Sequence, residues 1–138
     1  MTAPKSRSLL FLGLLWLCAC GADGRYVVIG TTRAPGASGI VEVDDLGATT
    51  AQVAVHIEFL HPPDRLDPAL TRYVVWFIPK TGGAVRAGAL NYDSVRRTGD
   101  LTQTSPFHHF SLEVTAEHDD KPSKPSAFVI ATQTVNVE

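Results

Sequence analysis

The chain is poor in cysteine: among its 138 residues only Cys18 and Cys20 carry a thiol, and both lie near the amino terminus. Residues 21–138 therefore cannot form a disulfide, even in an oxidising compartment that would permit one, and cannot supply a cysteine nucleophile. A domain in that stretch must be stabilised by its core alone. With 44% hydrophobic residues, the chain has enough apolar side chains for a core of ordinary size.

Basic residues and long apolar runs are also scarce. The chain has 12 Lys and Arg against 14 Asp and Glu, with no cluster of the basic ones. No nucleic-acid partner is expected, because nucleic-acid-binding domains carry a basic patch. The apolar run Leu9–Leu17 is too short for a membrane-spanning helix, which needs about 20 residues.

The amino terminus carries a targeting signal. Lys5 and Arg7 precede the apolar run Leu9–Leu17, and small residues follow it. This pattern is typical of a secretory signal peptide. The residues Leu17-Cys18-Ala19-Cys20 resemble the lipobox of bacterial lipoproteins. Cleavage without lipid addition, which would release the protein from the membrane, is the alternative.

The lipobox resemblance implies a location. In that family, the signal peptide, here residues 1–19, is removed and the thiol of Cys20 becomes the lipid attachment site. Stable anchoring takes more than one acyl chain, so a diacylated or triacylated Cys20 implies lasting attachment to a membrane of the cell envelope. The next residue, Gly21, is not the Asp that retains many lipoproteins at the inner membrane, which favours the outer membrane.

Signals for β-strands fill the rest of the chain. Ala51–Phe59 has apolar residues at its odd positions and mostly polar ones at its even positions, as a strand with one buried face does. Tyr73–Ile78 is apolar on both faces, which is typical of a covered central strand. Helical signals are limited to one turn at Pro68–Thr71. The expected strands occupy residues 26–29, 40–43, 51–59, 73–78, 85–92, 98–104, 110–115 and 127–137.

These short strands predict an all-β fold, an immunoglobulin-like β-sandwich of about seven or eight antiparallel strands. We expect residues 20–25 to form a lipidated tether and residues 26–138 to form the β-sandwich domain. The side chains expected in its core are those of Val55, Ile57, Phe59, Trp76, Phe110, Leu112 and Val114.

Part of the chain resembles known domains. Tyr73–Lys80 (YVVWFIPK), Gly88-Ala89-Leu90, Phe110–Glu117 and a proline-rich loop into the last strand follow one another. This order resembles the extracytoplasmic sandwich of anti-sigma-K-type regulators and the small immunoglobulin-like domains of bacterial lipoproteins. The resemblance implies the fold and no functional residue.

Histidine is the residue type that suggests a site. His108-His109 and His118-Asp119-Asp120 offer imidazole and carboxylate ligands, which suit zinc or copper. Neighbours on a strand point to opposite faces, so His108 and His109 are not expected to share an ion. We interpret the chain's histidines as solvated surface residues and expect no metal site: they are His56, His61, His108, His109 and His118.

The other candidate motifs lack the residue spacing of known calcium-binding and catalytic sites. Asp44-Asp45 and Asp119-Asp120 do not follow the spacing of calcium loops, and Gly36–Gly39 lacks the register of a serine-hydrolase motif. Trp76 and Tyr73 are expected in the core rather than on a ligand platform. We expect no catalytic residue and no cofactor.

Together these features favour a non-enzymatic envelope lipoprotein, anchored through lipid on Cys20. Its sandwich is expected to bind an envelope protein or glycan partner, or to support envelope structure. The alternative is a lipoprotein that binds a metal or small ligand through its surface histidines.

Overall fold

The computed structural model describes residues 24–138, where nearly every regular element is a β-strand. The all-β expectation is therefore confirmed. One 3-10 turn, at Pro63–Arg65, accompanies the strands in this part of the chain. The strands described are β1 (Gly24–Ile29), β2 (Ser38–Gly47), β3 (Thr50–Glu58), β4 (Arg72–Pro79), β5 (Val85–Ala89), β6 (Asn91–Asp93), β7 (Thr98–Ser105), β8 (His109–Glu117) and β9 (Val129–Asn136).

The strands form two antiparallel sheets. Sheet 1 has the order β1-β2-β3-β7-β6, and sheet 2 has the order β5-β4-β8-β9. The chain crosses from one sheet to the other after β3, β5 and β7. Strands β2-β3-β7-β6 and β5-β4-β8-β9 correspond to the A-B-E-D and C′-C-F-G sheets of immunoglobulin-like domains, and β1 adds an outer strand beside β2. The expected immunoglobulin-like sandwich is confirmed.

The strand count differs from the expectation at one place. The sequence predicts a single strand over residues 85–92, but β5 pairs with β4 in sheet 2 and β6 pairs with β7 in sheet 1. The chain changes sheet at Leu90, whose side chain is buried and whose N–H donates to the carbonyl of Tyr73 at 2.9 Å. The run of strand-forming residues continues through this crossing, so the sequence pattern does not reveal it.

The core lies between the sheets and confirms the alternation expected in β3 and β8. Phe59 is the exception: β3 ends at Glu58, and Phe59 adopts a φ of 59° with 56% of its surface exposed. The prediction that Phe59 is buried is wrong because strand alternation stops where the strand stops. The buried side chains predicted correctly are those of Val55, Ile57, Trp76, Phe110, Leu112 and Val114.

Trp76 is buried on the outer face of sheet 2 rather than between the sheets. On β4, Tyr73, Val75 and Phe77 point into the core, so Trp76 points to the other face. Only 1% of its surface is exposed, and its indole Nε1 donates to Oγ1 of Thr115 at 2.9 Å. Strand β4 is therefore buried on both faces along Tyr73–Phe77, as the apolar run at residues 73–78 predicts.

The sandwich has two distinct ends. Gly24 pairs with Val43, the sixth of the ten residues of β2, and Val43 pairs with Val53, so β1 begins near the middle of sheet 1 with its amino-terminal end directed toward the β2–β3 turn. The hydroxyl of Tyr26 donates to the carbonyl of Asn136 at 2.8 Å, which brings the last residue of β9 to the same end. We call this the Gly24 end. The opposite, far end holds the connections at residues 30–37, 59–71, 94–97 and 118–128.

Candidate functional site

The predicted lipid attachment site, Cys20, lies outside the described residues, and its lipidation stays a prediction. Strand β1 begins at Gly24, four positions after Cys20. Across residues 24–138, no helix is long and apolar enough to cross a membrane.

The histidines do not converge. Within residues 24–138, no group of three or more histidine, cysteine or acidic side chains is placed to hold a metal ion. The metal-binding alternative therefore finds no ready ligand set in this part of the chain. His56 lies on β3, His61 in the β3–β4 loop, His108 and His109 at the Gly24 end, and His118 in the β8–β9 loop.

His108 is not the solvated residue that the sequence suggests. Its side chain is 20% exposed, and its Nε2 lies 3.0 Å from the carbonyl oxygen of Thr50 and 3.2 Å from Oδ1 of Asp45. His108 therefore links the β7–β8 connection to the β2–β3 turn. His56 does lie on the wet outer face of sheet 1, with Nδ1 2.5 Å from Oδ1 of Asp100. That hydrogen bond raises the pKa of His56.

An open cleft of about 630 Å³ lies at the far end, between the β3–β4 loop and the β6–β7 turn. Its size is typical of ligand-binding clefts. A hollow on the outer face of sheet 1, beside His56, is smaller at about 200 Å³. None of the residues lining the far-end cleft is acidic. They are His61, Pro62, Arg65, Leu66, Ser94 and Arg97.

Arg97 borders the far-end cleft and holds the β3–β4 loop. Its Nε donates to the carbonyl of Leu60 at 3.3 Å, and its Nη2 donates to the carbonyl of Phe59 at 3.2 Å. Nη2 also lies 3.2 Å from Nε2 of His61. Because a guanidinium can only donate, this ring nitrogen accepts and the ring proton is on Nδ1. The two N–H groups of Arg97 Nη1 make no hydrogen bond with any of residues 24–138.

Two tyrosines hold the same loop from the core side. The hydroxyl of Tyr92, on β6, donates to the carbonyl of Leu60 at 2.9 Å, and that of Tyr73, on β4, donates to the carbonyl of His61 at 2.6 Å. Burial raises the pKa of both tyrosines, so their hydroxyls stay protonated and keep donating at neutral pH. The loop that forms one wall of the cleft is therefore fixed before any ligand arrives.

Unusual backbone conformations border this cleft. Among residues 24–138, three non-glycine residues have positive φ, and two of them are Phe59 at 59° and Arg97 at 58°. A left-handed conformation costs such residues about 1–2 kcal/mol. Conformations of this kind persist where surrounding contacts impose them and are frequent at binding sites.

Exposed apolar side chains lie close in sequence to the residues that line the cleft. Val95, at the tip of the β6–β7 turn, is 91% exposed, and Phe59 also faces solvent. Oδ1 of Asp93 accepts hydrogen bonds from the N–H groups of Val95 at 2.9 Å and Arg96 at 3.0 Å. The hydrogen bond from Arg96 lowers the pKa of Asp93. The ionised carboxylate therefore keeps the turn in shape at neutral pH.

The side chains of the cleft offer hydrogen-bond donors and positive charge. Arg65 is exposed, and its side chain forms no ion pair or hydrogen bond with the part of the chain that the structure describes. Together with Nη1 of Arg97 and the remaining ring N–H of His61, it offers positive charge and hydrogen-bond donors. Hydrogen bonds from a guanidinium to a carboxylate are about twice as strong as neutral ones. The cleft therefore suits a ligand that carries acceptors and negative charge.

Sequence reasoning did not identify this site. Arg65 and Arg97 are 32 positions apart, and neither belongs to a motif whose spacing indicates chemistry. The expected strands only leave these two positions in the gaps at residues 60–72 and 93–97. The pairing of β3 with β7 brings the two loops together.

Comparisons with known proteins find no relative. No protein-family model and no curated protein matches the chain, and no solved structure matches it. The function must therefore be argued from the residues of this chain.

Proposed function

We propose that this protein is a non-enzymatic lipoprotein of the cell envelope, held by lipid on Cys20 at a membrane, with the outer membrane favoured. Its sandwich binds an envelope protein or glycan partner through the loops of the far end. The observation that carries the proposal is the direction of β1, whose amino-terminal end points toward the β2–β3 turn, away from the far-end cleft.

The geometry of the tether supports this arrangement. Four residue steps from Cys20 to Gly24 span at most about 14 Å, so lipid on Cys20 would hold the start of β1 within about that distance of the bilayer, with the β2–β3 turn on the membrane side. Strand β3 runs from one end to the other in nine residues, a length of about 30 Å. The far-end cleft would then face away from the membrane, where a partner can reach it.

The scaffold also supports a binding role. Loops positioned by a rigid scaffold carry binding residues in many folds, and one end of an immunoglobulin-like sandwich is a frequent place for them. Here the β3–β4 loop is held by Arg97 and two tyrosines, so little conformational entropy remains to be lost on binding.

Site-specific photo-crosslinking in whole cells tests the proposal. A photo-crosslinking amino acid at Val95 probes the far end, and one at Leu46, which is 54% exposed near the β2–β3 turn, is the matched control. We expect the Val95 position to give a defined adduct, identified by mass spectrometry as protein or glycan, which the Leu46 position does not give. The same adducts from both positions, or none from Val95, would refute far-end binding.

A further inference from the structure

We infer that the far-end cleft binds a peptide segment in which a carboxylate stands beside an apolar side chain. The inference rests on the proposed function and narrows its partner to a protein with an acidic and apolar segment. Two observations carry it: guanidinium N–H groups of Arg65 and Arg97 that have no partner among the described residues, and exposed apolar side chains close in sequence to the residues that line the cleft.

The charge of the cleft indicates that the ligand carries a carboxylate. The guanidinium of Arg65 has no partner among the described residues, and there too the two N–H groups of Arg97 Nη1 make no hydrogen bond. No lining residue is acidic, so no carboxylate of the cleft itself competes for these donors. The planar fork of a guanidinium matches the two oxygens of a carboxylate.

The exposed apolar side chains indicate that the ligand also carries an apolar group. Val95, which is 91% exposed, follows the lining residue Ser94, and Phe59, which is 56% exposed, lies two positions before the lining residue His61. A free phosphate or a small anion would leave these side chains in water. An acidic sugar could stack on the ring of Phe59 but offers no side chain to cover Val95. A peptide brings both a carboxylate and an adjacent hydrophobic group.

The affinity of two peptides for the full-length lipoprotein, held in an uncharged detergent, tests the inference. Each peptide carries a fluorine label so that its binding can be followed by fluorine NMR. The first is acetyl-Gly-Ser-Glu-Leu-Ser-Gly-amide, and the second replaces its Glu with Gln. We expect the Glu peptide to bind at least about tenfold more tightly, the ratio that about 1.4 kcal/mol produces. Equal affinity of the two peptides would overturn carboxylate recognition.

Protein variants locate the site. Arg65→Gln should weaken binding of the Glu peptide about three- to tenfold, because it removes a charge-assisted hydrogen bond. Lys124→Gln is the matched control: it makes the same charge change at the same end, in the β8–β9 loop, and should change the affinity less than twofold. Val95→Ser should weaken both peptides. If Arg65→Gln and Lys124→Gln weaken binding of the Glu peptide equally, the peptide is held by general charge attraction and not by the cleft, and the inference is wrong.

The peptide test and the crosslinking test fail separately. If Val95 yields an identified partner in cells while the Glu and Gln peptides bind alike, the inference is wrong and the proposed function stands. If the Glu peptide binds the cleft as expected while Val95 gives no adduct in cells, the proposed function is wrong. Circular dichroism and the melting temperature of each variant confirm that Arg65→Gln and Val95→Ser remain folded.

Discussion

The indole Nε1 of Trp76 lies 2.9 Å from Oγ1 of Thr115, on the neighbouring strand β8. Thr115 passes the hydrogen bond on, since its hydroxyl donates to Oε1 of Glu117 at 2.5 Å, and the same oxygen accepts the N–H of Ser126 at 2.7 Å. A buried polar chain therefore ties β4 through β8 to the β8–β9 loop. Breaking one link leaves a buried polar group without its partner, which is costly.

Truncation of the buried aromatic residues should destabilise the protein strongly. Trp76→Ala and Phe110→Ala should each lower the free energy of unfolding by about 3–5 kcal/mol, as buried aromatics do. Trp76→Phe should cost about 1–3 kcal/mol, because Thr115 loses its donor. Urea unfolding measures each loss. Phe59→Ala, the same change at an exposed aromatic, is the control and should cost under about 1 kcal/mol; a loss that small at Trp76 would contradict its burial.

Membrane attachment should depend on Cys20. Cys20→Ser removes the thiol that would be acylated, so we expect the protein to leave the membrane fraction while the sandwich remains folded. Fractionation of cells before and after a high-salt wash measures attachment. A variant that still sediments with membranes after the wash would show that another anchor exists.

Arg97 should contribute to stability through its geometry rather than its charge. Arg97→Lys keeps the charge but cannot donate to the carbonyls of Phe59 and Leu60 in the same fork. We expect the free energy of unfolding to fall by about 1–3 kcal/mol. Arg96→Lys, on the same turn and exposed, should change it by less than about 0.5 kcal/mol. Equal effects of the two changes would show that Arg97 is an ordinary surface residue.

The His56–Asp100 pair should make stability depend on pH. The hydrogen bond to Asp100 raises the pKa of His56 above its ordinary value of 6.5, with Glu58 adding to the effect. A raised pKa means that the stabilisation is fully present below pH 6.5 and is lost as the pH rises through the higher folded-state pKa. The stability advantage of the parent over His56→Gln should therefore shrink between pH 6 and pH 8.5 in urea titrations. Asp100→Asn should leave only the smaller part of this pH dependence that Glu58 causes; an unchanged pH dependence would show that the pairing with Asp100 is wrong.

Divalent metals should not stabilise the protein. A ligand that binds only the folded state adds about 2.7 kcal/mol at a hundredfold excess over its Kd, which a thermal melt detects readily. We expect the same melting temperature with and without zinc or copper. A metal-dependent rise that disappears when His109 and His118 are both changed to Gln would favour the metal-binding alternative. His108 is left unchanged, because it is bonded to Thr50.

Burial along single strands could be predicted because it is a local property. In β3 and β8, side chains alternate between the two faces with a period of two residues, so Ile57 and Leu112 could be placed in the core from their neighbours alone. The same rule failed at Phe59 and across residues 85–92. In both places the chain ends its strand or changes sheet, and alternation carries no information on either event.

The sequence by itself determined the alternating strands, the absence of a disulfide beyond Cys20 and the expectation of a lipid anchor there. Only the tertiary structure decided that Trp76 faces outward and that Arg65 and Arg97 line one cleft. The physical reason is that strand pairing and sheet crossings join segments far apart in the chain. The charge and shape of a site built from such segments exist only after they have been packed together.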